Sequence, residues 1–529
     1  MEDQLNKILE YLKRKGVDAE SNKTNVISFY VVISGQRYVA ECVLGNGFPY
    51  VLPEIYASDS LFEIIYSIPH VSHWKNICTF DRTTTVPNFE SPEEMVFACI
   101  SKAIQIINEG LAKVNDDDYI DEAQSYWTNI PHSKTFYLLG EEKEYKKTAW
   151  FIDDCIFPSK ERCGDKAKQA LILKTNFIFK GNYSFTDFVY NCLDIKAREE
   201  LLNYLDTDIK KTRFIIFKNS IKGKTTYLGM FTPSYCETIN GFRVGKVNIS
   251  IAMNFFKNKV FEPVSIMNAT HENLYNRGGA GITRKADSVC VVGCGSFGGY
   301  LSELLMDYGI KKFLLIDNET LSSDNIARHY CDFKYRETEK AKALAFSLRT
   351  HNPNLVCEHI DDDIHKVLSS KPEQLNNYDY VFVCVGDLGT EKRFFDLVKN
   401  KIVTKPVILV WAEPFCLACH AIVLNNNSEA FHVVYNSNFE FLHSVVKNAD
   451  SFYKRDAGCR STYVPYSSYM IKHFLIDFLF ELFDGKKLET NNYSYIWLGN
   501  LESSKEINAI IADEFASCSR FSSIIRKIT

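Results

Sequence analysis

Residues 288–298 read SVCVVGCGSFG, and the organisation of the chain follows from them. Ser288–Val292 is a short apolar run without alternation, the pattern of a strand buried on both faces. Gly293, Gly295 and Gly298 follow with GxGxxG spacing, and SFGGYLSELLMDYG then predicts a helix. Glycines between a strand and a helix allow a tight turn and bring a phosphate close to the helix amino terminus. Downstream, KKFLLID reads as a strand and ETEKAKALAFSLRT as a helix, while LVCEHI, YDYVFVCVG and KPVILVW read as further strands. Strands alternating with helices predict a parallel, doubly wound sheet. Asp317 ends the second strand, where a carboxylate binds a ribose hydroxyl; a nicotinamide-dependent oxidoreductase would carry the same features.

Further residues separate the two readings. Glu319 follows Asp317, Asn325 and Arg328 lie in DNIARHY, Lys340 lies in the next helix, and Asp387 ends the strand VFVCVGD. Hydride transfer needs no cluster of cations near the phosphates. Attack of a carboxylate on the α-phosphate of ATP does, because charge builds on the transferring and leaving oxygens. Arg328 and Lys340 suit that role, and Asp387 suits a magnesium ion.

The ordered set GCGSFGG, DNETLSSDNIARHY, EKAKAL and VGDLGTEKR resembles the ThiF/MoeB/ubiquitin-activating superfamily of adenylating enzymes over most of residues 277–425. The resemblance implies a Rossmann-like ThiF-type domain with ATP contacts at Gly293, Gly295, Gly298, Asp317, Glu319, Asn325, Arg328 and Lys340, and magnesium at Asp387. It also implies an arginine that reaches into a partner's site, for which Arg277 and Arg284 are candidates. Glu319 stands where many members carry aspartate and keeps the charge. Simpler members hold zinc with two CxxC pairs; this chain has one, Cys416 and Cys419, so zinc is not expected.

Upstream, an amphipathic helix, MEDQLNKILEYLKRKG, is followed by the alternating runs VISFYVVI (26–33) and QRYVAECVL (36–44), joined by SG as a hairpin. FPYVLP, the loop IPHVSHWKNICTFD and a long helix come next, the helix with Ser91 as cap and Pro92 in its first turn. This order resembles a ubiquitin-conjugating α+β domain over most of residues 1–112 and implies Cys78 as a thioester-forming nucleophile. The family's His-Pro-Asn is here Ile68-Pro69-His70, with His70 in the asparagine position. A histidine could donate the same hydrogen bond to the oxyanion or be a satisfied loop residue.

Cys459 is a second candidate thiol, in KRDAGCRSTYVPYSSYM. Its neighbours are small, polar and basic, and Arg455 and Arg460 would lower a thiol pKa. The segment resembles the catalytic-cysteine loop of ubiquitin-activating-like enzymes. Buried cysteines more often sit in apolar runs, as Cys384 does in VFVCVG.

Composition sets the outer limits. The 529 residues suggest several domains, and 46% hydrophobic with 24% charged residues is an ordinary globular balance. A net charge of −5 argues against a general nucleic-acid binder, and no run approaches the ~20 apolar residues of a bilayer span. The amino terminus does not read as a signal peptide, and sixteen cysteines read as reduced thiols, so a cytoplasmic protein is expected. The acidic stretch around 116–123 reads as a linker and hinge, and the glycine-rich NRGGAGITRKAD (276–287) as a second boundary. Three segments result: 1–125, 126–280 and 281–529. The middle one is rich in strands. Its GKTT at 223–226 is not a phosphate loop, because Lys218 occupies the position of the required upstream glycine; it reads as a hairpin turn.

A conjugating domain fused to an activating domain resembles the fused ligase of bacterial CBASS anti-phage systems. That implies a homodimer with an inactive adenylation-like or structural middle domain. The implied acyl donor is a protein with a free carboxy terminus, a cGAS-like nucleotidyltransferase, joined to an amine on a target. A ubiquitin-like or sulfur-carrier donor, a nicotinamide-dependent oxidoreductase and a non-catalytic scaffold are the alternatives.

Overall fold

The computed structural model describes residues 2–528 apart from 24, 82, 116, 128–133, 163, 181–182, 236–240, 242, 244–245, 279–285, 426–429, 456–461 and 485–490. The chain divides into two compact units, Met1–Ala269 and Thr270–Thr529. No helix among the described residues is long and apolar enough to cross a membrane.

The first unit opens with helix Glu2–Arg14 and an antiparallel sheet whose five strands lie in chain order: Ala19–Lys23, Val26–Ile33, Gln36–Val43, Glu54–Ala57 and Asn76–Ile77. Ile27, Phe29 and Val31 alternate into the core, as the period-2 pattern requires. Helix Pro92–Leu111 covers that face with Val96, Ile100, Ala103 and Ile107. Ser91 stands at its cap position, but its hydroxyl makes no capping bond; Pro92 at the first helical position supplies the start.

The middle segment closes into a seven-stranded barrel. Around it run Phe214–Ile221, Lys224–Phe231, Glu262–Asn268, Thr135–Leu138, Cys155–Phe157, Thr148–Ile152 and Lys168–Thr175. Its interior is aromatic, with Phe136, Phe214 and Phe231 in mutual ring contact. Helix Ile195–Asp206 and the shorter Phe185–Asn191 and Ile249–Phe255, none of them read from the sequence, help build a second core in this segment.

The GKTT stretch is a hairpin turn. Ile221 pairs with Lys224, and Lys222 and Gly223 both take positive φ, the requirement of a two-residue primed turn. Lys224 forms a salt bridge to Asp121 at 2.5 Å, exposed on both sides. Lys224→Ala is therefore expected to leave any ATP turnover unchanged and to cost no more than ~1 kcal/mol of stability, the scale of an exposed ion pair. Nucleotide turnover and a denaturation curve check both statements.

The acidic stretch read as a hinge is bonded on both sides. It folds as helices Asp118–Asp121 and Ala123–Trp127. Asp117 pairs with Lys222 at 2.6 Å, and Gln124 donates to Ser265 Oγ and the Ile266 carbonyl at 2.9 Å each. The Trp127 indole is buried among Phe177, Phe188, Phe217 and Phe261 and donates to the Gly229 carbonyl at 2.6 Å. Charge and low apolar content suggested a mobile linker, but this short segment carries two aromatic anchors, Tyr126 and Trp127, that burial holds in place.

The second unit is built on an eight-stranded sheet. In order its strands are Val356–Ile360, Lys312–Ile316, Ser288–Val292, Tyr380–Val383, Val407–Ala412, Ala418–Leu424, Asn492–Leu498 and Ser522–Ile528. The first five are parallel and the last three antiparallel. Helices Ser296–Tyr308, Lys340–His351 and Ser468–Phe483 supply one core, and Ile364–Ser370 and Leu388–Lys399 supply the other. Ser288–Val292 is central, with the next strand in sequence on one side and Tyr380–Val383 on the other. That reversal is the topological switch point, where open α/β sheets bind ligands beyond the carboxyl ends of their strands.

Candidate active site

A cavity of about 590 Å3 lies at this switch point, within the ~300–1,000 Å3 range of small-molecule sites. Gly293, Gly295, Asp317, Glu319, Lys340 and Asp387 all line it. The glycines have different tasks. Gly293 takes φ +86°, and a Cβ there would meet Val385 and the Cys384 backbone at 2.9–3.0 Å. A Cβ on Gly298 would lie 1.9 Å from the Gly293 carbonyl oxygen. On Gly295, at the cap of helix Ser296–Tyr308, a Cβ would meet nothing within 4 Å. Gly293 and Gly298 therefore close the loop, and Gly295 leaves space beside the helix amino terminus.

Asp317 braces the loop from the neighbouring strand. Its carboxylate accepts the Cys294 N–H at 2.6 Å and the Glu319 N–H at 2.7 Å. Burial is the largest influence on this carboxyl and raises its pKa. Lys340 begins its helix with a side chain only 9% exposed and is paired with Glu319, whose side chain is 68% exposed. Asp387 caps helix Leu388–Lys399: one carboxylate oxygen accepts both the N–H and the hydroxyl of Thr390 at 2.8 Å, and the Thr390 N–H is the main cause of its lowered pKa. Arg328 donates to Asn325 at 3.2 Å and lies over the Tyr466 ring at 5.2 Å, and Tyr466 lines the cavity.

Several contributors escaped sequence reading. His329 is buried; its Nδ1 accepts the Cys331 N–H at 3.1 Å, so Nε2 carries the proton and donates to the Cys294 carbonyl at 2.7 Å. Burial pushes its pKa down to about 4, so the ring is neutral and tethers the glycine loop. His365, Trp411 and Tyr466 line the cavity from segments distant in sequence. His329 sat inside the recognised motif DNIARHY and Tyr466 inside the quoted segment KRDAGCRSTYVPYSSYM, but neither was singled out.

Cys416 and Cys419, the CxxC pair, are buried with their thiols hydrogen-bonded to each other. Among the described residues no group of three or more His, Cys, Asp or Glu side chains is gathered to hold a metal. Arg277 lies in helix His271–Gly278. Arg284 and Cys459 lie outside the described residues.

In the first unit Cys78 is exposed, one residue past strand Asn76–Ile77, and its N–H donates to the His70 carbonyl at 2.8 Å. His70 takes φ +68°. Its Nδ1 pairs with Glu122 at 2.7 Å and its Nε2 with Asp118 at 2.9 Å, so both ring nitrogens are engaged by carboxylates. The hydrogen bond to Glu122 is the main cause that raises its pKa to about 9. Between pH 6.5 and 9 the folded state thus binds more protons here than the unfolded chain does, so stability must fall as pH rises. The His70 contribution is expected to be complete below pH 6.5 and lost as pH passes 9. Melting temperatures across that range should slope less in His70→Gln than in the wild type.

Comparison with known families fits this geometry. Residues 278–474 match the ThiF family, and residues 3–136 match prokaryotic E2 family B. The chain thus carries a segment similar to prokaryotic E2 family B followed by one similar to the ThiF family. Its relatives include the ATP-dependent ubiquitin transferase-like protein Cap2 of Pseudomonas aeruginosa, 26% identical over 196 residues, 36% of this chain and 34% of that protein. Cap2 of Vibrio cholerae is 27% identical, over 34% of this chain and 32% of the relative, and Cap2 of Escherichia coli 23% identical, over 52% and 45%. The alignments thus span from 32% to 45% of these relatives' length.

Proposed function

We propose that this chain activates the carboxy terminus of a protein with ATP and conjugates it to an amine. The carrying observation is the cavity at the switch point, where an open glycine stands at a helix amino terminus beside a buried, paired lysine. A carboxylate oxygen of the donor protein attacks the α-phosphorus of ATP; the bond to the bridging oxygen breaks and pyrophosphate leaves. The helix amino terminus and Lys340 offset the charge that builds there, with Arg328 behind them. Asp317 and Asn325 are assigned to the nucleoside side. A magnesium ion would neutralise the phosphate oxygens, and Asp387 with phosphates and water is a donor set magnesium accepts.

The thiolate of Cys459 attacks the acyl carbon and AMP leaves. Cys78 displaces Cys459 in a second thioester exchange. The target amine then attacks, loses its proton, and releases the Cys78 thiolate. The exposed position of Cys78 and the likeness to Cap2 proteins support this order, and a cGAS-like nucleotidyltransferase is the proposed donor. The middle barrel is assigned a structural role, and a homodimer is the proposed assembly.

Two purified proteins serve as probes: a cGAS-like nucleotidyltransferase and a ubiquitin-like protein. ATP–pyrophosphate exchange should appear with the first and be absent with either probe's carboxy-terminal residue removed. Exchange with the second alone would replace the donor, and exchange with neither would overturn the activity. On non-reducing gels Cys78→Ala should retain a thiol-sensitive adduct at Cys459 and make no amide. Cys459→Ala should exchange pyrophosphate and carry no adduct; normal conjugation by either variant would remove that thiol from the relay.

A further inference from the structure

His70 does two things at once in the first unit. Its carbonyl accepts the Cys78 N–H at 2.8 Å, and its ring is held by two carboxylates from outside the cysteine loop. Glu122 grips the loop at two points, because it also accepts the His70 backbone N–H at 3.1 Å. The same Glu122 carboxylate accepts the Tyr126 hydroxyl at 2.8 Å. Tyr126 reaches the Ile68 carbonyl at 3.2 Å, and the Tyr119 hydroxyl donates to the Ser67 carbonyl. Residues 67, 68 and 70 are thus all bonded to the segment 118–126, which is itself fastened to the barrel by Asp117, Asp121, Gln124 and Trp127.

We infer that Glu122 is a positioning residue for Cys78, acting through His70, and that the barrel is the template on which the cysteine loop is set. A histidine in the left-handed region at φ +68° is held there by its surroundings. Two carboxylates on an imidazolium and one on its own N–H supply that hold, and the direction of the His70 carbonyl follows. The role of His70 is accordingly to fix the loop, since both ring nitrogens are already engaged. The inference rests on the reading of Cys78 as an acyl carrier, but the coupling itself needs no donor protein to test.

Hydrogen exchange on the full chain reads the Cys78 amide directly. Glu122→Ala is expected to speed exchange of the peptide 71–80 at least tenfold while leaving helix Pro92–Leu111 unchanged. Glu122→Gln, which keeps an acceptor for the His70 N–H but loses the charge, should recover part of the protection. In a His70→Ala background, Glu122→Gln should have no further effect on that peptide, because the charge it removes no longer has a partner. Iodoacetamide labelling of Cys78 should change at least threefold in Glu122→Ala and stay unchanged at Cys518. Unchanged exchange at 71–80, or equal loss of protection throughout the domain, would overturn the inference. The acyl-carrier reading fails separately, through normal conjugation by Cys78→Ala with the exchange pattern intact.

Discussion

Lys340→Met is expected to slow ATP–pyrophosphate exchange ~100- to 1,000-fold, the effect of removing one preorganised charge donor from a transition state. The size follows from the side chain's surroundings. It is 9% exposed at the first turn of its helix, it lines the cavity, and its helix start is tied back to the loop by a bond from its own N–H to the Glu319 carbonyl at 2.8 Å. A charge held in a fixed place and shielded from water interacts strongly with developing negative charge nearby. Methionine keeps most of the apolar stem, and Glu319, at 68% exposed, can return to water. The folding cost should therefore be small, and the loss should appear in rate. A denaturation midpoint measured beside the exchange rate separates the two. Exchange within threefold of wild type would mean that another group supplies the charge and that Lys340 is misassigned.

Gly298→Ala and Gly295→Ala should fail in opposite ways. The first places a Cβ 1.9 Å from the Gly293 carbonyl oxygen and 3.2 Å from a Val291 methyl, so the loop and the helix must separate. Overpacking of that severity against backbone is expected to cost ~3 kcal/mol or more, seen as a shifted denaturation midpoint. The second adds a methyl where nothing stands within 4 Å. Its stability should change by less than ~0.5 kcal/mol, the scale of a substitution without steric conflict. The added methyl would occupy the space left for phosphate, so ATP affinity measured by calorimetry should drop at least tenfold. Equal affinity in Gly295→Ala and wild type would place the phosphates elsewhere.

Much of the fold was legible because its signals are local. An unbroken apolar strand, a glycine triplet and a helix occupy consecutive residues, and the strand–helix alternation behind them defines a parallel sheet. The antiparallel meander of the first unit and the GKTT turn were legible for the same reason, through period-2 alternation and turn chemistry. The three antiparallel strands that complete the large sheet, Ala418–Leu424, Asn492–Leu498 and Ser522–Ile528, were not read. Two of them are buried at every position and so carry no alternation. The helices of the middle segment escaped for another reason: two are only seven residues long, and Ile195–Asp206 buries a narrow stripe of Ala197, Leu201 and Leu205.

The functional positions divide along a similar line. By itself the sequence determined the glycine loop, the carboxylates and lysine near it, and the two candidate thiols, because motif spacing is a property of consecutive residues. Only the tertiary structure decided what those residues face. It paired Lys340 with Glu319, tethered the loop through a neutral His329, and separated the glycine that opens towards the cavity from the two that close on backbone. It also turned an apparent hinge into a clamp on the Cys78 loop. The physical reason is that burial and pairing depend on neighbours brought together by folding: Asp118 and Glu122 stand 48 and 52 residues from His70. A run of acids looks like solvated linker until a histidine and two lysines from other elements are packed against it.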